Sequence, residues 1–273
     1  MKKIGLTAIM LLFYFSQINA EEYVLIPAGA FQMGCSVNDD DCASDEGQSG
    51  GISVFVPAFK LSKYEVTVDQ YQACIDAGKC KPPENSKLTE YCNITVKERS
   101  QHPMNCVDWA DANSYCQWQK ARLPYEAEWE KAARAQTSSR YPWGQKVSCK
   151  QAILDDGVTK GSVADEGDGC GEDRTWKIAS RAKNAYGLYD MHGNAGEWTA
   201  NWYTADAIPN YYAKGNLTGP DSSPRRVVRG GSWDENKLNL RSSFRNVKPP
   251  VSGRYAYGSI GFRCAMNIPL KLK

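Results

Sequence analysis

Gly193-Asn194-Ala195-Gly196-Glu197-Trp198 and, further on, Arg229-Gly230-Gly231-Ser232-Trp233 are the stretches on which the reading of this chain turns. The first lies within a run, Thr137 to Arg225, rich in Gly, Asp, Asn, Pro and aromatic residues and without a sustained hydrophobic period. About 90 residues of irregular chain argue against a compact domain unless something other than helices and strands holds them. Disulfides and bound metal ions are the usual means.

Regular structure is sparse on either side of that run. Thr67-Val68-Asp69-Gln70 has the capping-box form and opens a helix that places Tyr71, Cys74 and Ile75 on one side and stops near Gly78. A second helix is predicted from about Val107 to Lys120, with Trp109, Ala112, Tyr115, Cys116 and Trp118 as a core-facing stripe. A third follows Pro124. It carries Glu126 and Glu128 in its first turn, turns Trp129 and Ala133 inward and ends near Arg134. Short strands are predicted at Tyr23–Ile26, Ser53–Val56, Phe59–Leu61, Arg226–Arg229 and Ile260–Cys264. With no internal repeat, low-complexity tract or linker, this is one α+β domain of low regular content.

The start of the chain reads as a signal peptide, residues 1–20. Lys2 and Lys3 precede an apolar run from Ile4 to Phe15, and Ala20 offers a small residue for cleavage before Glu21-Glu22. The run is shorter than the roughly 20 apolar residues a membrane span needs. The expected product is a domain over residues 21–273, periplasmic or secreted, with no membrane span left. Thirty-three basic against 31 acidic residues give a net charge of +2, which points away from nucleic acid or a membrane surface as partner.

In an exported chain, ten cysteines read as a disulfide framework. Closeness in sequence proposes Cys35 with Cys42, Cys74 with Cys80, Cys92 with Cys106 and Cys149 with Cys170. Cys116 and Cys264 are left as a long-range staple, although sequence alone does not determine connectivity.

Ten segments fall in an order that carries a resemblance. They are Met33-Gly34; Lys63-Tyr64-Glu65-Val66-Thr67; His102 to Trp109; Ala121-Arg122-Leu123-Pro124; Glu126 to Glu130; Tyr141-Pro142-Trp143-Gly144; Asn184 to Met191; Gly193 to Trp198; Arg229 to Trp233; and Gly261-Phe262-Arg263-Cys264. From about Ile26 to Ala265 the chain resembles the formylglycine-generating enzyme, or sulfatase-modifying factor, family. The resemblance implies a variant of the C-type-lectin fold, low in regular structure. It also implies a disulfide between Cys116 and Cys264, as in the family's eukaryotic-type members.

The family's chemistry is expected to be absent. Its active members hold Cu(I) between two cysteines that follow the Gly-Gly-Ser-aromatic motif, and soft thiolates suit that soft ion. The matching positions here are Glu235 and Leu240, and Gly196 replaces an expected Trp. Neither formylglycine-generating activity nor bound copper is predicted. Ser232, Trp233, Asp234, Glu235, Arg241 and Arg245 are candidates for an altered polar pocket, with Arg229 and Lys237 close in sequence. A salt-linked loop network is the competing reading. Two histidines, His102 and His192, are too few for a multi-histidine centre.

By resemblance, a structural calcium ion is expected at Asp190 and Glu197, with carbonyls from Gly193 and Ala195; hard oxygen donors suit it. A second family site near Gln151-Ala152-Ile153 lacks one side-chain ligand, which Ala152 replaces. The acidic run from Asp165 to Asp173 is not an EF-hand, since its twelfth position is Trp176. The sugar-binding triplets of true C-type lectins are absent. The expected function is an accessory or regulatory domain that binds a periplasmic protein or a small ligand. The alternative is a periplasmic maturation enzyme oxidising a peptide or protein without cysteine chemistry, a role the resemblance offers through relatives implicated in siderophore maturation.

Overall fold

The structure, a computed structural model, describes residues 23–84, 90–157, 169–251 and 257–268. The expected leader lies outside these residues, as do positions 165–168 of the acidic run.

The helices follow local chemistry. Thr67 caps α1 (Val68–Asp76): its Oγ1 accepts from Gln70 N at 3.3 Å while Gln70 Oε1 accepts from Thr67 N at 2.9 Å. The helix ends at Gly78, whose φ of +66° is one that L side chains rarely adopt. The second, α2, is shorter than predicted, Trp109–Trp118, and Lys120 at φ +56° turns the chain away. The third, α3, spans Glu126–Arg134 and departs from expectation in a different way. All nine of its residues are buried, not only Trp129 and Ala133. Ion pairs within the protein, described below, replace the solvent that its charged face would otherwise need.

Strands β1 (Tyr23–Ile26), β4 (Phe59–Ser62) and β9 (Ala265–Asn267) form one antiparallel sheet in the order β1-β4-β9. β2 (Gly29–Met33) and β3 (Ile52–Val56) form a hairpin. The third sheet has the order β7-β6-β5-β8, from β5 (Gly196–Trp202), β6 (Arg226–Arg229), β7 (Asn246–Lys248) and β8 (Ile260–Gly261). A short helix, α4 (Ala207–Asn210), follows β5. Burial on both faces of β5 leaves its sequence without the alternation that marks a half-exposed strand, which is why it escapes a pattern reading. Of the strand predicted over Ile260–Cys264 only Ile260 and Gly261 pair, as β8, and β9 begins beyond it at Ala265.

Two apolar clusters flank this frame. One gathers Ile26, Met33, Val54, Phe59 and Trp129; the other gathers Tyr71, Tyr115, Cys116, Trp198 and Phe262. All ten cysteines are joined, as Cys35–Cys42, Cys74–Cys80, Cys92–Cys106, Cys116–Cys264 and Cys149–Cys170. Cys116–Cys264 ties α2 to the chain between β8 and β9 across 148 residues, and closing so long a loop contributes roughly 4–5 kcal/mol in the chain-entropy model. The irregular run is held mainly by side chains bonded to backbone. Asn184 Nδ2 donates to Ala132 O at 2.9 Å, and Arg181 Nε donates to Cys149 O at 2.6 Å.

Candidate functional site

β6 ends in Gly230 and Gly231, and both glycines are required. At Gly231, φ +69°, a Cβ would lie 2.6 Å from Leu240 Cδ1 and 2.8 Å from Asn239 O; at Gly230, φ +98°, it would press on the Trp129 indole at 3.1 Å. Their bareness lets residues 239–240 close over the end of the strand. Beyond them Ser232 and Trp233 are buried. Trp233 N donates to Asn194 O at 3.0 Å, and the Trp233 indole packs on Tyr91 with centroids 5.4 Å apart.

The two positions matching the copper cysteines differ in kind. Glu235 is half-buried; its Oε1 accepts from Asn246 Nδ2 at 2.8 Å, and Ser232 Oγ lies 3.5 Å from Oε2. Burial pushes its carboxyl above the usual range, with Asp234 adding to this and Lys248 opposing it. Leu240 is fully buried among Tyr141, Ala152 and Leu154. His192 Nδ1 donates to Leu240 O at 2.7 Å. Burial, together with Arg134 and Arg229, lowers the His192 pKa to about 4, so the ring is neutral and braces the loop.

Arg241 and Arg245, expected beside Asp234 and Glu235, belong elsewhere. Arg241 grips Glu46 through two bonds of 2.6 and 2.7 Å and reaches Asp39 at 3.2 Å. Arg245 holds Glu126 at 2.7 and 2.9 Å. Arg229 reaches Glu130 at 2.5 Å and Glu126 at 3.4 Å. A fully buried guanidinium needs a buried carboxylate, and α3 and the Asp39–Glu46 segment supply them. The salt-linked reading therefore describes the arginines, while Ser232, Glu235 and Asn246 form the polar lining that remains.

Of the residues expected around calcium, Glu197 is engaged by partners within the protein: Arg263 Nε lies 2.8 Å from both of its carboxylate oxygens, Arg263 Nη2 lies 2.7 Å from Oε1, and the Trp129 indole donates to Oε2 at 2.7 Å. The carboxylate facing the Gly193–Ala195 turn is Glu65. It accepts from Asn194 Nδ2 at 2.9 Å and from Ala195 N at 3.1 Å. Asp190 Oδ2 accepts from Ala179 N at 2.6 Å. Gly193 at φ +78° lets the turn approach Ile153 O, which a Cβ would meet at 2.1 Å.

Three buried carboxylates, Glu65, Asp190 and Glu197, thus share Arg263, with Arg181 acting more weakly on Asp190. Burial raises the Glu65 carboxyl well above the ordinary range, and Asp190 and Glu197 raise it further. The same cause lifts Asp190 to about 6. A hard cation would relieve this surplus of negative charge. Among the described residues no three His, Cys, Asp or Glu side chains converge as a ready-made metal group, so such a cation would draw on amide and carbonyl oxygens. Near Gln151, Ala152 and Ile153 offer no ligating side chain, and Ala152 packs in the apolar cluster with Leu240.

The lone Glu in Lys63-Tyr64-Glu65-Val66-Thr67 was the signal for Glu65, but its partners stand some 130 positions away (|i−j| 129 and 130).

Residues 12–268 match the model of the sulfatase-modifying factor enzyme 1-like domain. The chain is 30% identical over 292 residues to the formylglycine-generating enzyme of Thermomonospora curvata, covering 91% of this chain and 94% of that protein. It is 33% identical over 180 residues to the inactive C-alpha-formylglycine-generating enzyme 2 of Mus musculus, covering 63% of this chain and 51% of that one. Among solved structures, PvdO from Pseudomonas aeruginosa superposes with a TM-score of 0.70 at 27% identity, over 90% of this chain and 94% of that one. The fold is the formylglycine-generating-enzyme variant of the C-type-lectin fold. The chain belongs to the sulfatase-modifying factor family, the family of the formylglycine-generating enzymes.

Proposed function

We propose that this protein is an exported member of its family that has lost formylglycine-generating activity and serves as a periplasmic accessory or regulatory binding domain, for a protein or small ligand. One observation carries the reading. The positions that would supply sulfur are Glu235 and Leu240, and all ten cysteines are in disulfides. A carboxylate and a buried isobutyl group do not replace two thiolates as ligands for Cu(I). The kinship with a relative named inactive agrees with this.

The test is a Cu(I) titration against a chromophoric chelator, followed by an assay for oxidation of a sulfatase cysteine peptide. We expect no competition for copper and no product. Tight copper binding with oxygen uptake would overturn the reading. In the same proposal calcium is structural, at Asp190, Glu197 and the Gly193–Ala195 turn as the resemblance implies, with Glu65 as a further carboxylate facing that turn.

One feature favours the second reading, a maturation enzyme for a peptide or protein: Glu235 is a partly desolvated carboxyl of raised pKa, set between Asn246 and Ser232. An oxidase at that position would lose turnover in Glu235→Gln while keeping its fold.

A further inference from the structure

The loop from Val96 to His102 and the segment from Glu172 to Ser180 enclose a cavity of about 710 Å³, the size of a small-molecule site. Ser232, Glu235 and Leu240 do not line it. Its charge is uneven: Arg99, Arg174 and Lys177 stand against Glu98 and Glu172, a surplus of one positive charge. Arg174 is paired with Glu172. Arg99 is not paired with any carboxylate among the described residues. Its Nη1 donates to two neutral acceptors, Glu90 O at 2.8 Å and Asn93 Oδ1 at 3.4 Å. Burial and the like charge of Arg174 disfavour the Arg99 cation, while the Glu90 and Glu172 carboxylates favour it, and an anion placed between the two guanidiniums would add to that compensation.

The remaining walls are fixed. His102 Nδ1 lies 3.2 Å from Thr175 Oγ1. Burial, with Arg99 adding to it, depresses the His102 pKa to about 4, so the imidazole offers a hydrogen bond without a further charge. The Trp176 indole donates to Gly169 O at 2.8 Å, its backbone N donates to Asn194 Oδ1 at 2.8 Å, and the Arg181 guanidinium sits 4.7 Å from the ring centroid. A half-buried aromatic held at both ends is a preorganised surface for a planar group.

We propose that this cavity binds a small aromatic carboxylate as a monoanion, its carboxylate between Arg99 and Arg174 and its ring against Trp176. A guanidinium fork matches a carboxylate bidentately, and a surplus of one charge suits a monoanion better than a phosphate dianion. The assignment goes beyond the loss of copper chemistry and stands whether or not that reading holds.

The chain has only two histidines, so NMR of the imidazole resonances reports on the site directly, with His192 as an internal control. Purified protein is titrated with 1-naphthoate, indole-3-acetate, 1-naphthalenemethanol and 1-naphthyl phosphate. We expect at least one carboxylate to move the His102 signals saturably while His192 stays put, with the alcohol at least tenfold weaker and the phosphate weaker than the carboxylate. Arg99→Gln should weaken binding tenfold or more. Lys177→Gln, at an exposed position, should keep the fold and weaken it two- to fivefold. The proposal fails if neither carboxylate saturates, if the alcohol binds equally well, if the phosphate binds more tightly, or if both folded variants bind as the parent does.

Discussion

Two sets of buried charges meet at Trp129, whose indole donates to Glu197 and lies 5.4 Å from Arg229, and they are built on opposite principles. Around α3, Glu126 and Glu130 meet Arg134, Arg229 and Arg245, and Tyr212 donates to Glu126 at 2.8 Å. There the guanidiniums of Arg245 and Arg229 outweigh the cost of burial and hold the Glu126 carboxyl below its ordinary range. Around the Gly193–Ala195 turn, three carboxylates share one fully buried arginine, and burial raises two of them. Equal burial with opposite outcomes shows that counter-charge decides whether a buried carboxyl is held below or above its ordinary range. The first set is self-sufficient. The second has more carboxylates than guanidiniums.

The largest test is to break the balanced set. Glu126→Gln leaves Arg245 short of its partner in a dry site, which typically costs about 3–5 kcal/mol. Urea denaturation at pH 7 should show that loss, and a change under 1 kcal/mol would mean that the pairs are not buried as described. Next in size is His192, which joins the balanced set to the Leu240 loop. Its folded pKa of about 4 lies below the ordinary value near 6.5. As pH falls from 6.5 to 4 the unfolded chain takes up a proton that the folded chain refuses, so stability is lost over that window. The loss is about 3 kcal/mol, and His192→Gln should fall by that much less than the parent between pH 7 and pH 4.

How much of this was legible in the sequence follows the same division. Motif order carried the fold, and the capping box at Thr67 and the cysteine spacings carried local elements and staples. The absence of sulfur at Glu235 and Leu240 was also plain, because it depends on residue identity alone. Charge partnership was not legible. Arg241 stands beside Glu235 in sequence but pairs with Glu46, 195 positions away, since only the fold determines which carboxylate shares a dry site with which guanidinium. The partnership of Glu197 with Arg263 is hidden in the same way, since it rests on the parallel pairing of β5 with β8. β5 itself was hidden by burial on both faces.

The unbalanced set offers a prediction opposite in sign to the first. In protein stripped of divalent cations, Glu65→Gln removes the cost of ionising a buried carboxyl at the loss of one hydrogen bond, and stability should hold or rise by about 1 kcal/mol. Adding calcium should raise the melting temperature of the parent, by about 2.7 kcal/mol of stability at a concentration a hundred times the dissociation constant. It should leave Glu65→Gln nearly unmoved. If Glu65→Gln instead destabilises as Glu126→Gln does, the two sets are not different in kind.

The smallest effect comes from a pair at the surface. Arg174 and Glu172 form an ion pair with side chains 40% and 42% exposed, so water already solvates both partners and salt screens what remains. Arg174→Gln should change the free energy of unfolding by less than about 0.5 kcal/mol, measured by denaturation in low and in high salt. That outcome would leave Arg174 no large role in the scaffold. A loss of 2 kcal/mol or more would place it with the balanced set, and the cavity beside His102 would then be packing rather than a site.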